Sequence, residues 1–359
     1  MKPRDPQAPL ARALTIGPGR VVGDGHPPFI IAELSANHLG RLDRALAIID
    51  AAADAGCDAL KLQTFTPASM TLDSERADFH IADGPWQGRS LWDLYDEAHT
   101  PWAWHAQLFA HGAARGLLVF STPFDEESIA RLDALGAPAF KIASFELVDL
   151  ELIAAAAKTG KPLIMSTGMA SDAEVDEAIE TARSHGDGGV ALLHCVSGYP
   201  TPPEQSNLRR LDALRAQHAV VVGISDHSPG ALVPIAAVAR GAALVEKHLT
   251  LARADGGPDA GFSLEPAEMA EVVTGCRTAF RALGDGSPAR PKAEDGSRQF
   301  RRSLYATADI APGQPLTRDN VRSIRPGLGL PPRALPEVLG RPAKVSIARG
   351  TPLAWELIA

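Results

Sequence analysis

Cysteine is scarce, with three in 359 residues. Cys57, Cys195 and Cys276 lie far apart in apolar surroundings, and no CxxC pair occurs. No disulfide framework can be read from that spacing, and the three read as reduced core residues of a cytoplasmic protein. Long hydrophobic runs are also missing. No stretch approaches the roughly 20 apolar residues of a membrane span, so no membrane partner is expected. Met1 to Leu14 alternates Arg, Pro and Ala without a continuous apolar segment, so it does not read as a secretory signal. Net positive charge is absent too: the balance of −8 argues against a nucleic-acid partner. It is uneven, however. From Arg298 to Ala359 ten Lys and Arg stand against four Asp and Glu, and the first 297 residues carry −14. A basic tail on an acidic body suits RNA, an anionic substrate or docking onto the body.

What is present is ordinary soluble-protein material, 45% hydrophobic and 22% charged. Its length suffices for one large core plus a small appended domain. From Phe29 apolar strands alternate with amphipathic helices. Strands are predicted at Phe29–Leu34, Ala59–Phe65, Leu117–Pro123, Ala139–Ser144, Pro162–Gly168, Val190–Ser197, Val220–His227 and Leu244–Thr250. Helices are predicted between and after them, the last over Pro266–Gly284, and Ser171 to Glu174 forms a capping box. Eight β/α units in about 255 residues are the size of an α/β TIM barrel. A doubly wound open sheet is the competitor, disfavoured by the unit count and by the lack of GxGxxG after the first strand. The expected organisation is an extension over 1–28, a barrel over 29–284, a Gly- and Pro-rich linker over 285–297 and a small, mostly β domain over 298–359. In that domain the apolar runs Ser303–Ala306, Val321–Ile324 and Ala343–Ile347 are the strand candidates. One connection is long: 66–100 follows the second strand and carries Trp86, Trp92 and Tyr95. It reads equally as a functional loop or as an aromatic cap.

The strand ends carry the chemistry. Gly223 to Gly230 and Leu244 to Thr250 are apolar runs that end in ionisable residues, with an alanine-rich helix between them. His227 and His248 should therefore end neighbouring parallel strands, about 5 Å apart. Two imidazoles at that spacing can share a divalent cation, with oxygen ligands completing the set. Alternatively each is hydrogen-bonded to backbone. Lys61 and Lys141 lie inside strands that should be apolar throughout, and a barrel-interior lysine must meet an anion or shift its pKa. With Ser144, Ser166 and Ser225 they make a cradle for phosphate and carboxylate. A structural ion pair with a nearby Glu and a Schiff-base nucleophile are the alternatives. Glu33, at the first strand's end, is the acid/base candidate.

Taken together, Ala32-Glu33-Leu-Ser-Ala-Asn37-His38, Lys61-Leu-Gln63-Thr, Lys141-Ile-Ala-Ser144-Phe-Glu146, Ser166-Thr-Gly-Met169, Ser225-Asp-His227 and Glu246-Lys-His248 resemble the phosphoenolpyruvate-dependent sialic acid synthase family. Phe300 to Leu304, Asp319 to Val321 and Arg325-Pro-Gly327 resemble that family's antifreeze-like SAF domain. The resemblance runs from Phe29 onward. Arg253 to Gly257, Phe262 to Pro266 and Arg325 to Pro332 look like its pseudaminate-forming branch. It implies condensation of phosphoenolpyruvate with an open-chain acetamido sugar, 2,4-diacetamido-2,4,6-trideoxy-L-altrose, giving pseudaminic acid and phosphate. Neuraminate or legionaminate synthesis by the same mechanism, a Schiff-base sugar acid aldolase and a non-enzymatic carbohydrate- or ice-binding protein are the rivals. The last needs a threonine-rich face that the tail lacks. The resemblance implies a divalent cation on His227 and His248, Mn²⁺ first and Mg²⁺ or Co²⁺ as alternatives. It assigns substrate contacts to Gln63, Glu146, Ser197, Tyr199 and Asp259, with Ser197 standing where neuraminate synthases often carry Asn. It also implies a homodimer with exchanged tails, in which Arg325 reaches the partner's sugar.

Overall fold

The computed structural model describes residues 12–359; of the expected extension over 1–28, residues 1–11 lie outside it. The chain divides into a unit ending at Gly284 and a unit over Asp285–Ala359. In the first, eight parallel strands close on themselves: Phe29–Glu33, Ala59–Thr64, Leu118–Pro123, Phe140–Ile142, Leu163–Ser166, Val190–Cys195, Val221–Ser225 and Leu244–His248. They are the first to eighth barrel strands below. The eighth is hydrogen-bonded back to the first, pairing His248 with Glu33, and the first pairs Glu33 with Lys61. Helices lie between the strands, including Leu42–Asp54, Asp172–His185 and Pro266–Leu283. The Ser171 capping box forms, the serine hydroxyl accepting from the Glu174 amide.

Strand alternation sorts the barrel wall into two faces. Ile30, Leu60, Leu62, Leu192 and Val245 point outward and pack under the helices. Phe29, Ile31, Ala59, Ala191, Leu193 and Leu244 point inward and fill the lower barrel. Two residues further along the same strands, the inward positions turn polar: Glu33, Lys61, Cys195 and Glu246. Each strand is therefore an apolar stem that lifts a functional group to the C-terminal mouth. Gly223 belongs to the inward face of the seventh strand. A Cβ there would lie 2.5 Å from the Leu244 carbonyl oxygen and 2.8 Å from the Leu193 side chain, so only glycine lets these strands close.

The lower end has a floor that sequence reading assigned to an extension. Ala13–Thr15 and Val21–Gly23 pair as a short antiparallel hairpin. Its Leu14, Ile16 and Val22 join the inward apolar cluster from below. At the upper end, the 66–100 connection contains helices Pro67–Met70 and Leu91–Ala98. Trp86 pins it down: its indole N–H donates to the Pro258 carbonyl at 2.8 Å, and its ring lies 5.6 Å from Tyr199 and 6.5 Å from Phe262.

The C-terminal unit has its own core, built on Leu304, Ile310, Leu316, Val321, Val338 and Leu353. Ser303–Ala306 and Val321–Ile324 pair antiparallel, as the sequence suggests. Ala343–Ile347 does not form a strand. Ala343 and Ile347 are buried while Lys344, Val345 and Ser346 between them are exposed, which breaks two-residue alternation, and the run closes through single bridges to Ile358 and Ile310. The stretch expected as linker continues into a 3₁₀ run over Lys292–Phe300. Among the described residues no helix is long and apolar enough to cross a membrane.

Candidate active site

The upward-facing polar residues surround one cavity of about 510 Å³ at the barrel mouth, a size suited to small-molecule substrates. Its deep part is an ionic cluster. Lys61 pairs with Glu33 and, at 3.2 Å, with Glu246; Lys141 lies 3.8 Å from Glu246 and donates to the Ser166 hydroxyl at 2.7 Å. Ser225 donates to Glu246 at 2.9 Å. All four charged side chains are almost wholly buried. Unpaired, any one would carry a heavy desolvation cost; two cations and two anions balance when all are ionised. Burial works against the Lys61 charge, yet Glu246 and Glu33 together raise its pKa. Burial alone would raise Glu246, but Lys141 and Lys61 hold it down. Burial raises Glu33 despite the Lys61 cation, and Glu246 pushes it further up. Glu33 is thus the carboxyl of the pair that most readily keeps a proton. Burial lowers the pKa of Lys141.

Above Glu33, Gln63 donates to its Oε1 at 2.8 Å and to the Ser35 hydroxyl at 3.3 Å, and Ser35 in turn donates to Asp259. On the other side stand the histidines. The His227 and His248 rings are 5.3 Å apart between centroids. His227 Nδ1 donates to the Val196 carbonyl at 3.1 Å, which turns Nε2 away from that carbonyl, and the ring also contacts the Cys195 thiol. His248 Nδ1 is buried with no hydrogen-bond partner, and burial followed by the neighbouring His227 holds the ring well below its ordinary pKa, hence neutral. Against burial, the Cys195 thiol beside it raises the His227 pKa, so the two rings differ, and a divalent cation would take both in their unprotonated form. Among the described residues no three His, Cys, Asp or Glu side chains cluster as a complete protein ligand set. A bound ion would therefore draw its remaining ligands from substrate and water.

Glu146, Ser144 and Tyr199 also line the cavity. Burial raises the Glu146 carboxyl to about 7, and its Oε2 has no partner. Ser197 does not line it: its hydroxyl is buried against Gly168 without a hydrogen bond. Arg325 is exposed in the C-terminal unit, immediately after Val321–Ile324. Asn37 and His38 are anchors: Asn37 donates to the Leu249 carbonyl and Ser263, and His38 accepts from the Gly40 amide. The structure adds residues that the reading of strand ends passed over. Glu246 is the central counter-ion of both lysines, and its signal was two-residue alternation from His248. Cys195, expected in the core, lines the cavity by the same alternation on the sixth strand. Trp86 and Phe262 wall the histidine side.

Comparison with known sequences identifies the family. The NeuB family profile matches residues 48–288 and the SAF domain profile residues 301–359. The chain belongs to the NeuB family. It is 43% identical over 325 residues to the pseudaminic acid synthase of Campylobacter jejuni, covering 90% of this chain and 95% of that protein. It is 40% identical over 328 residues to the pseudaminic acid synthase of Helicobacter pylori, covering 91% and 96%. Among solved structures, N-acetylneuraminic acid synthetase from Leptospira borgpetersenii, in complex with citrate, superposes with a TM-score of 0.71 at 32% identity, covering 80% of this chain and 95% of that one. Within this NeuB-family barrel, the strands thus carry both the ionic cluster and the paired imidazoles into a single cavity.

Proposed function

We infer that the protein is a pseudaminic acid synthase, a phosphoenolpyruvate-dependent transferase that joins the three-carbon donor to 2,4-diacetamido-2,4,6-trideoxy-L-altrose with loss of phosphate. The observation that carries this reading is the buried Lys61–Glu33–Glu246–Lys141 cluster beside the paired imidazoles of His227 and His248 in one cavity. Likeness to the pseudaminic acid synthases supports the choice of acceptor.

The cluster is neutral with all four groups ionised, so a bound phosphate and carboxylate leave it over-supplied with negative charge. Lys61, Lys141, Ser144, Ser166 and Ser225 hold those anions, and the excess favours a proton on Glu33, already raised by burial. Glu33, adjacent to His248 and oriented by Gln63, then handles the proton as the donor's enol carbon bonds to the acceptor's aldehyde carbon and water adds at the donor's second carbon. A divalent cation on His227 and His248, Mn²⁺ first, would polarise the aldehyde oxygen. Asp259, Tyr199 and Glu146, which line the cavity, would contact the sugar. The reading keeps the cytoplasm as the site of action. It also keeps a homodimer with exchanged C-terminal units, each lending Arg325 to its partner; exposed Phe145, Val148 and Met169 at the barrel mouth favour a covering partner.

Phosphate release from phosphoenolpyruvate, measured with a panel of acetamido sugars in the presence and absence of chelator, tests this. Release that depends on the sugar and on Mn²⁺ is expected. A borohydride-trapped pyruvyl adduct on Lys61 or Lys141, with turnover in excess chelator, would mark an aldolase instead.

A further inference from the structure

The cavity also has an apolar lining of Phe65, Met70, Ile81, Leu91, Leu94 and Phe124, of which Phe65 and Phe124 directly follow the second and third strands. None of these side chains offers an N–H or O–H group, and the polar groups bordering them are Asp83, Tyr95 and Glu146. Four of the six belong to the long connection after the second strand or its approach: Met70, Ile81, Leu91 and Leu94. The wall is packed, with the Phe65 ring edge-on to Phe124 at 5.3 Å and to Tyr95 at 5.8 Å. Around the closed barrel, the second strand lies two places from the eighth, which carries His248. The separation is about 10 Å at the usual strand spacing. An acceptor whose aldehyde carbon sits between Glu33 and the imidazoles is long enough to reach this lining with its far end.

We propose that Met70, Ile81 and Leu91 determine acceptor specificity by reading the sugar's terminal carbon. The wall accepts a methyl group and disfavours a hydroxymethyl group, so 6-deoxy acetamido sugars are used in preference to their 6-hydroxy counterparts. The inference rests on the synthase reading and adds to it the residues that select the acceptor. A methyl group there leaves water for apolar contacts. A hydroxyl gives up its hydrogen bonds to water and finds no replacement on these six side chains. Apolar pockets reject an added hydroxyl only moderately, by on the order of 100-fold.

The experiment compares kcat/KM, by phosphate release, for a matched pair of acetamido sugars that differ only at carbon 6. The wild-type enzyme should favour the 6-deoxy sugar about 10- to 100-fold. Leu91→Asn and Met70→Gln, both close in volume to the residues they replace, should bring the ratio toward unity by improving use of the 6-hydroxy sugar. The KM for phosphoenolpyruvate should not move. Leu91→Met and Met70→Leu should keep the preference, which separates polarity from a general packing defect. Equal kcat/KM for the two sugars with the wild-type enzyme would overturn the inference. So would an unchanged ratio in polar variants that still turn over the 6-deoxy sugar. If a polar variant fails to fold, the wild-type ratio decides alone. Absence of phosphate release with every acetamido sugar would overturn the synthase reading itself, a result distinct from indifference at carbon 6.

Discussion

Glu146 is the residue whose burial has the clearest thermodynamic signature. Its carboxyl is raised from 4.5 to about 7. Between those values the folded state holds a proton that the unfolded chain has released, so stability falls as pH rises through this window and is lowest above it. The loss is about 3 kcal/mol at most. Glu146→Gln should match wild type at pH 4 and exceed it in unfolding free energy at pH 8, as read by urea denaturation; an unchanged pH profile would refute the assignment. A second test concerns the outward face. Lys247 Nζ lies 2.9 Å from Asp226 and also donates to the Ser228 carbonyl, so it brackets His227 while adjoining His248 in sequence. Lys247→Met alone leaves a buried carboxylate unpaired and should destabilise strongly, by about 3–5 kcal/mol. The double variant Asp226→Leu/Lys247→Met removes both charges and should fold, but with the imidazoles less firmly placed. Its Mn²⁺ affinity by calorimetry should fall on the order of tenfold, and wild-type affinity would assign the pair a purely structural role.

At the scale of elements, the hairpin and the long connection close opposite ends of the barrel. Ile16 is fully buried in the floor. Ile16→Ala should therefore cost about 2–4 kcal/mol in chemical denaturation while leaving KM for both substrates near wild type, because the site lies at the other end. Loss of substrate affinity at retained stability would show the floor to be coupled to the site. This element was not legible in the sequence. Its strands are three residues long, too short for a two-residue rhythm to register, and its apolar members make sense only against the barrel they plug. The eight barrel strands were legible because each is a continuous β-branched or apolar run between helices with clear stops. The functional strand ends were legible for a related reason: Lys61, Lys141, His227 and His248 interrupt runs that should stay apolar. Glu246 was seen as part of a motif but given no role, because it sits beside Lys247 and only the inward or outward direction of each side chain tells the cluster's counter-ion from the outer clamp. The wall of Met70, Ile81 and Leu91 escaped because its members come from an irregular segment whose periodicity carries no direction.

At the scale of the whole molecule, the proposed exchange of C-terminal units predicts complementation. Arg325→Ala and His248→Ala subunits, each inactive alone, should regain activity when mixed, because one site of the heterodimer then carries both lesions and the other carries none. A mixture that stays inactive would place each tail over its own barrel. The plugged floor has a further, kinetic consequence. A barrel stopped at one end is a cul-de-sac, so whatever binds deepest must arrive first and cannot leave past a later occupant. Lys61, in the proposed donor cradle, lies deeper along the second strand than Phe65 of the apolar lining, so on this reading the two substrates must queue. Donor would precede acceptor, and an acceptor that enters early would block the donor's way in through the mouth. Initial rates should therefore fit an ordered scheme in which high sugar concentration inhibits and excess phosphoenolpyruvate relieves the inhibition.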